Sequence, residues 1–232
     1  MEIILGGIKK AIILIFSLDE EVLGITILSI KVSGTATIFS VILGIVIGAF
    51  LALTKFPGRN ILVALVNTGM GIPPVVVGLV ITIFLWREGP FGFLGILYTP
   101  LAMIIAQALI ATPIVAGITL AAIQHIPEKM KLQIKALGAT KIQFLFFILR
   151  EAKLSLLASA MAGFGGVISE VGASMMVGGN IKGYTRVLTT ATVLETSKGN
   201  FEIAMALGVI LFLLTFSINQ ILTAIQQRER SE

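Results

Sequence analysis

Residues 32–54 read VSGTATIFSVILGIVIGAFLALT, 23 positions without an acidic or basic side chain between Lys31 and Lys55. At ~1.5 Å per residue, a helix of that length crosses the hydrocarbon core of a bilayer. Other runs like it follow. Twenty-seven uncharged positions separate Arg59 from Arg87, 39 separate Glu88 from Glu128, and Ile203 to Gln227 adds 25. Gly89, Pro90 and the stretch from Gly92 to Gly95 put a loop at the start of the third run, which leaves a span at 99–124. Between Lys153 and Glu170 lie only 16 uncharged residues, but apolar character continues to Val177. A full-length helix over 154–177 therefore carries one carboxyl, Glu170, inside it. Five transmembrane helices result, at 24–54, 60–86, 99–124, 154–177 and 203–226, in one all-α membrane domain over 1–232. Ile3 to Phe16 is too short to cross and is interrupted by Lys9 and Lys10, so it is predicted to be an interfacial helix.

Composition agrees with the runs. Of 232 residues, 56% are hydrophobic and 12% charged, with a mean hydropathy of +1.04. A soluble domain carries about 25% charged residues. That difference excludes a disordered chain, a coiled coil and an ordinary soluble enzyme. The net charge is +5, and surplus Lys and Arg in a membrane protein mark cytoplasmic loops rather than a nucleic-acid site. With the loops near 54–60 and 125–153 and the tail after 227 on the cytoplasmic side, that side holds ten of the 17 cations. They are Lys55, Arg59, Lys129, Lys131, Lys135, Lys141, Arg150, Lys153, Arg228 and Arg230. Five spans then place the N-terminus outside and the C-terminus in the cytoplasm. No A-x-A site precedes Asp19, so no cleaved signal is predicted.

Much chemistry is excluded by residue type. The chain has no cysteine, one histidine (His125) and one aspartate (Asp19), so no Ser-His-Asp relay, thiolate site or two-histidine metal site can form within it. It has no G-x-x-x-x-G-K-[ST], and any nucleotide hydrolysis must reside on another subunit. Small residues recur at Ser40, Gly44, Gly48 and Ala52, one smooth face for close helix packing, within the chain or against a second copy. Pro73 and Pro74, after Gly69 and Gly71, must kink or break the second span.

The predicted cytoplasmic loop has structure of its own. Residues 124–144 read QHIPEKMKLQIKALGATKIQF. Pro127 and Glu128 suit a helix start, Met130, Ile134 and Leu137 recur at helical spacing, and Gly138 supplies the break. Thr140 can then cap a second helix. A helix-turn-helix on this side is one reading; a surface helix bound to lipid headgroups is the other.

This loop resembles that of the permease subunits of ABC importers, whose pattern is E-A-A, three residues, Gly, then nine residues to Ile-x-Leu-Pro. Gly138 and Ile148 take the glycine and isoleucine positions. Leu132, Gln133 and Ile134 replace the E-A-A triplet, and Arg150 and Glu151 replace Leu-Pro. Residues 169–200, SEVGASMMVGGNIKGYTRVLTTATVLETSKGN, are similar to the molybdate and tungstate branch, with its Glu-x-Gly-Ala, Gly-Asn-Ile and Thr-Arg elements. The doubled glycine, Thr-Thr and Glu-Thr-Ser-Lys-Gly fit the tungstate type best. Asn67 to Pro74 and Lys55 to Arg59 resemble the same group.

The resemblance implies a type I (MetI-like) permease in a prokaryotic cell membrane. It would form the pathway with a second copy of itself, receive its oxyanion from an extracytoplasmic binding protein, and be moved by two ATPase subunits. No cofactor would be bound by this chain; ATP and Mg would sit on the ATPase. Gln133, Ala136, Leu137, Gly138 and Ala139 would form the ATPase contact. Pro73, Pro74, Glu170, Gly172 and Ser174 are the candidate gate or pathway residues. A carboxylate at membrane depth costs at least ~2.5–3.5 kcal/mol on insertion scales, so Glu170 should face protein or a cavity. Gly179, Asn180, Thr185, Arg186, Thr189 and Thr190 offer neutral donors and one cation, as an oxyanion or a binding protein requires. Arg186 could equally pair with Glu195. Two other classes compete: a stand-alone proton-coupled carrier using Glu170, and a membrane anchor or assembly factor without transport.

Overall fold

The computed structural model describes residues 2–231, with side chains over 3–228, and every regular element among them is helical. Three helices are long and apolar enough to cross a bilayer unaided: α2 (Glu20–Leu53), α5 (Pro100–His125) and α11 (Phe201–Ser231). Local chemistry fixes where they begin. Asp19 accepts from Val22 N–H at 3.0 Å to cap α2, and Glu20 and Glu21 fill its first turn, where the helix dipole favours negative charge. Thr99 accepts from Ala102 N–H at the start of α5.

The second span is broken, as Pro73 and Pro74 require, and the fourth departs from the expected continuous helix. Residues 60–86 form α3 (Arg59–Gly69) and α4 (Pro74–Leu85), bent by 106°. Residues 154–177 form α8 (Lys153–Ile168) and α9 (Gly172–Gly178), bent by 59° at Glu170. Pro73 and Pro74 remove two backbone donors in succession, which is why the first break is so sharp. Each bent pair still crosses the bundle. Arg59 Nε donates to Leu51 O at 2.6 Å near one end of α2, whereas Leu85 packs with Ala102 at the start of α5. Likewise Leu154 accepts from Gln226 near the end of α11, whereas Val177 accepts from Tyr98 N–H near the start of α5.

α5 is the hub, packed against α2, α3, α8 and α9. The stripe of small residues on α2 serves this packing. A Cβ at Gly48 would come within 2.5 Å of Ala116 O, and one at Gly44 within 2.6 Å of Val115 Cβ, so the stripe is an intramolecular contact. The N-terminal segment forms α1 (Glu2–Phe16) but does not lie alone. It runs along α11, with Gly7 against Met205 and Ala11 buried beside Ala206, Leu207 and Ile210. α6 (Glu128–Ala136) and α7 (Lys141–Glu151) form the elbow, and α10 (Leu188–Ser197) turns back into α11.

Candidate functional site

The elbow is assembled as its residue types predict. α6 ends at Ala136, Gly138 takes φ +80°, and Thr140 caps α7. Gln143 N–H donates to Thr140 Oγ1 at 3.3 Å while Thr140 N–H donates to Gln143 Oε1 at 2.9 Å, a reciprocal capping box. Met130 and Ile134 seat the elbow on a cluster of Ala49, Ile123, Ile126, Ile148 and Ala152, so α2, α5, α7 and the head of α8 meet beneath it. Leu137 does not join them, although helical spacing grouped the three. α6 stops one residue before it, and its side chain is 87% exposed. Ile142 is 82% exposed across the turn. A cavity of about 570 Å³ lies at the turn, lined by Leu137, Gly138 and Ala139 together with Ile134, Gln143 and Phe147. Gln133 and Ala136 are exposed on α6. The elbow and the C-terminal end of α11 share one end of the bundle.

The candidate gate residues also converge. α4 and α9, the second halves of the two bent spans, pack on each other so closely that backbones nearly touch. A Cβ on Gly78 would sit 2.6 Å from Ala173 Cα, and one on Gly172 would sit 2.5 Å from Val75 Cγ2. Glu170 is 7% exposed in the break, and its carboxylate accepts Ala173 N–H at 2.7 Å. It thus meets a helix N-terminus, and among the described residues no cation pairs with it. The carbonyl of Glu170 accepts from Thr189 Oγ1 at 3.0 Å, which ties α10 to the same break. Ser174 is fully buried and accepts from Gln107 Nε2 at 3.0 Å; Ser33 Oγ donates to Gln107 Oε1 at 3.4 Å. Gln107 thereby joins α2, α5 and α9. Sequence reasoning missed it, although an amide in the middle of a 39-residue uncharged run is the signal to look for.

The 178–190 loop is different in kind. Thr185 is fully buried; its hydroxyl donates to Gly178 O and accepts Ile181 N–H at 2.9 Å. Thr190 Oγ1 accepts Val187 N–H at 3.0 Å, and Thr189 serves Glu170. All three hydroxyls are engaged inside the protein. Gly179 packs under the Tyr98 ring. Asn180 donates to Thr190 O at 3.5 Å, while its Oδ1 has no partner among the described residues. Arg186 lies 3.5 Å from Glu21 rather than on Glu195, and Lys182 reaches the other Glu21 oxygen at 2.7 Å. These groups border a groove of about 500 Å³ together with Glu20, Gly24 and Lys31. Glu195 instead binds Lys198 and Asn200, each at 2.7 Å, and the two contacts hold its carboxyl below the ordinary glutamate range.

Residues 44–231 match the family of binding-protein-dependent transport system inner membrane components. The chain is 40% identical over 227 residues to the tungstate uptake system permease protein TupB of Peptoclostridium acidaminophilum, covering 98% of this chain and all of that one. It is 32% identical to TupB of Campylobacter jejuni over 94% of this chain and 92% of the relative. Among solved structures it superposes on a chain of the inward-facing MetNI methionine ABC transporter with a TM-score of 0.72. That match has 20% identity and covers 93% of this chain and 97% of the other.

Proposed function

The chain belongs to the family of binding-protein-dependent transport system inner membrane components, and from that premise we propose that it carries tungstate or a related oxyanion, such as molybdate or sulfate, across the membrane. It is a permease subunit of an ABC uptake system and not itself an enzyme. Two copies form the pathway, two ATPase subunits grip the elbows, and an extracytoplasmic binding protein delivers the anion to the opposite mouth. The elbow faces the cytoplasm together with the C-terminus, and the N-terminus lies outside.

One observation carries this reading. Leu137 and Ile142 stand exposed on either side of Gly138, on a turn braced by a capping box and seated on α2, α5 and α8. An exposed apolar pair on a stiff mount suits a partner's groove. Displacement of the elbow passes through Met130 and Ile134 to α8, whose far end is the break at Glu170. Mated α4 and α9 can then move as one body against α5. Affinity belongs to the delivery protein, because a path that held the anion tightly would release it slowly. The proton-coupled carrier gains no support from relatives described as uptake-system permeases.

Reconstitution tests this directly. Proteoliposomes holding the chain with its ATPase and binding protein are expected to accumulate tungstate only when ATP is supplied. Uptake by the chain alone under a proton gradient would overturn the proposal.

A further inference from the structure

A second groove lies beside the elbow, between the last turns of α2 and one face of α7, and encloses about 710 Å³. Its wall is apolar, built from Val46, Phe50 and Leu53 of α2 and Leu149 of α7, among others. Two cations stand at one end, Lys135 and Lys141, and no carboxylate lines it. The Lys135 ammonium lies 5.1 Å from the Phe144 ring centroid, which orients it toward the groove. Among the described residues neither lysine makes an ion pair. The wall continues into the exposed apolar strip of α2, where Ile38, Ile42 and Val46 face outward.

This pattern selects its occupant. A water-soluble anion would leave the apolar wall wet, and a neutral hydrocarbon would leave two ammonium groups without a counter-charge. An amphiphile with a negative head satisfies both ends. The ATPase contact lies elsewhere: Leu137 and Gly138 line the elbow cavity but not this groove, and Ala139 alone is common to the two. We propose that the α2–α7 groove binds an anionic phospholipid of the cytoplasmic leaflet, with an acyl chain along α2 and the phosphate between Lys135 and Lys141. The cytoplasmic leaflet is where acidic lipids attract basic side chains at a helix end. The assignment of leaflet rests on the orientation proposed above. A phosphate held by Lys135 of α6 and Lys141 of α7 braces the two arms of the elbow against α2.

Lipid retention on the purified chain in detergent tests this, with bound lipid counted by native mass spectrometry. Phosphatidylglycerol is expected to be retained at least about tenfold better than phosphatidylcholine of the same acyl chains, given what each lysine contributes near an anionic surface. The double variant K135Q/K141Q should erase the preference. V46W, placed at a position 63% exposed and therefore harmless to packing, should lower retention of both lipids. Inorganic phosphate should not compete. Equal retention of the two lipids, or a preference that survives K135Q/K141Q, would overturn the assignment. No ATPase, binding protein or tungstate enters this assay, so it can fail while uptake succeeds, and the reverse.

Discussion

At Gly138 and at Gly179 a short helix ends in a left-handed glycine, φ +80° and +70°, and at both a threonine bonds the backbone beyond the turn. Their apolar side chains fare differently. The elbow leaves Leu137 and Ile142 more than 80% exposed. The 178–190 loop buries Val187 and Leu188, leaves Ile181 and Tyr184 about half exposed, and is pinned to α2 through Glu21. A turn that satisfies its polar groups and still exposes two large apolar side chains suits the partner contact proposed for it. A turn whose threonine hydroxyls are all engaged internally is built to hold its own shape. The difference fits the coupling role proposed for the first turn, whereas the second frames the groove beside Glu21.

The largest test of this contrast is Leu137→Asp. The site is exposed, so folding and membrane insertion should be unaffected, whereas ATPase co-purification and ATP-driven uptake should fall at least about thirtyfold, as for loss of a central apolar anchor. Full coupling in this variant would remove the elbow from the contact. Thr185→Val should do the opposite. Valine fits the space but strands Gly178 O and Ile181 N–H, at a cost of about 1–3 kcal/mol. Thermal unfolding in detergent should show that loss while ATPase capture stays at the wild-type level. If capture fell together with stability, the two ends of the molecule would not be separable in this way.

The spans were legible because charge is excluded from hydrocarbon, and the elbow because Pro127, Gly138 and Thr140 each have one local use. What stayed hidden depends on tertiary contact. The 106° bend follows from Pro73 and Pro74 only once α4 has a mate in α9. Helical spacing placed Leu137 with Met130 and Ile134, yet where α6 stops decides which way it points. Threonines in the 178–190 loop advertise donors, but a sequence does not say to whom the hydroxyls are committed. Arg186 had Glu195 nearby in sequence and found Glu21 across 165 positions. α1 is as apolar as a span and too short to be one; its place along α11 follows from Gly7 and Ala11 fitting Met205 and Leu207.

Glu21→Gln is the next smaller test. It removes the carboxylate shared by Lys182 and Arg186, but the Glu21 and Lys182 side chains are 45% and 67% exposed. Water screens such pairs, so the loss of stability should be at most about 1 kcal/mol and should fade as salt rises. A loss as large as that of Thr185→Val would mean that the pin to α2, rather than the buried hydroxyls, holds the loop in place.

The smallest expected effect belongs to Glu195, at the turn from α10 into α11. Lys198 and Asn200 lower its carboxyl below the ordinary value of 4.5 in the folded chain, and the unfolded chain lacks both contacts. The folded state therefore favours the ionised form. Its contribution to stability is complete above the ordinary glutamate range and is lost as pH falls through the lowered folded value. The melting-temperature difference between wild type and Glu195→Gln should accordingly be present at neutral pH and shrink on acidification. High salt should shrink it too, since Lys198 is half exposed. A difference that persisted at low pH would place the role of Glu195 in packing rather than charge, and the turn would then resemble the 178–190 loop more closely than its ion pair implies.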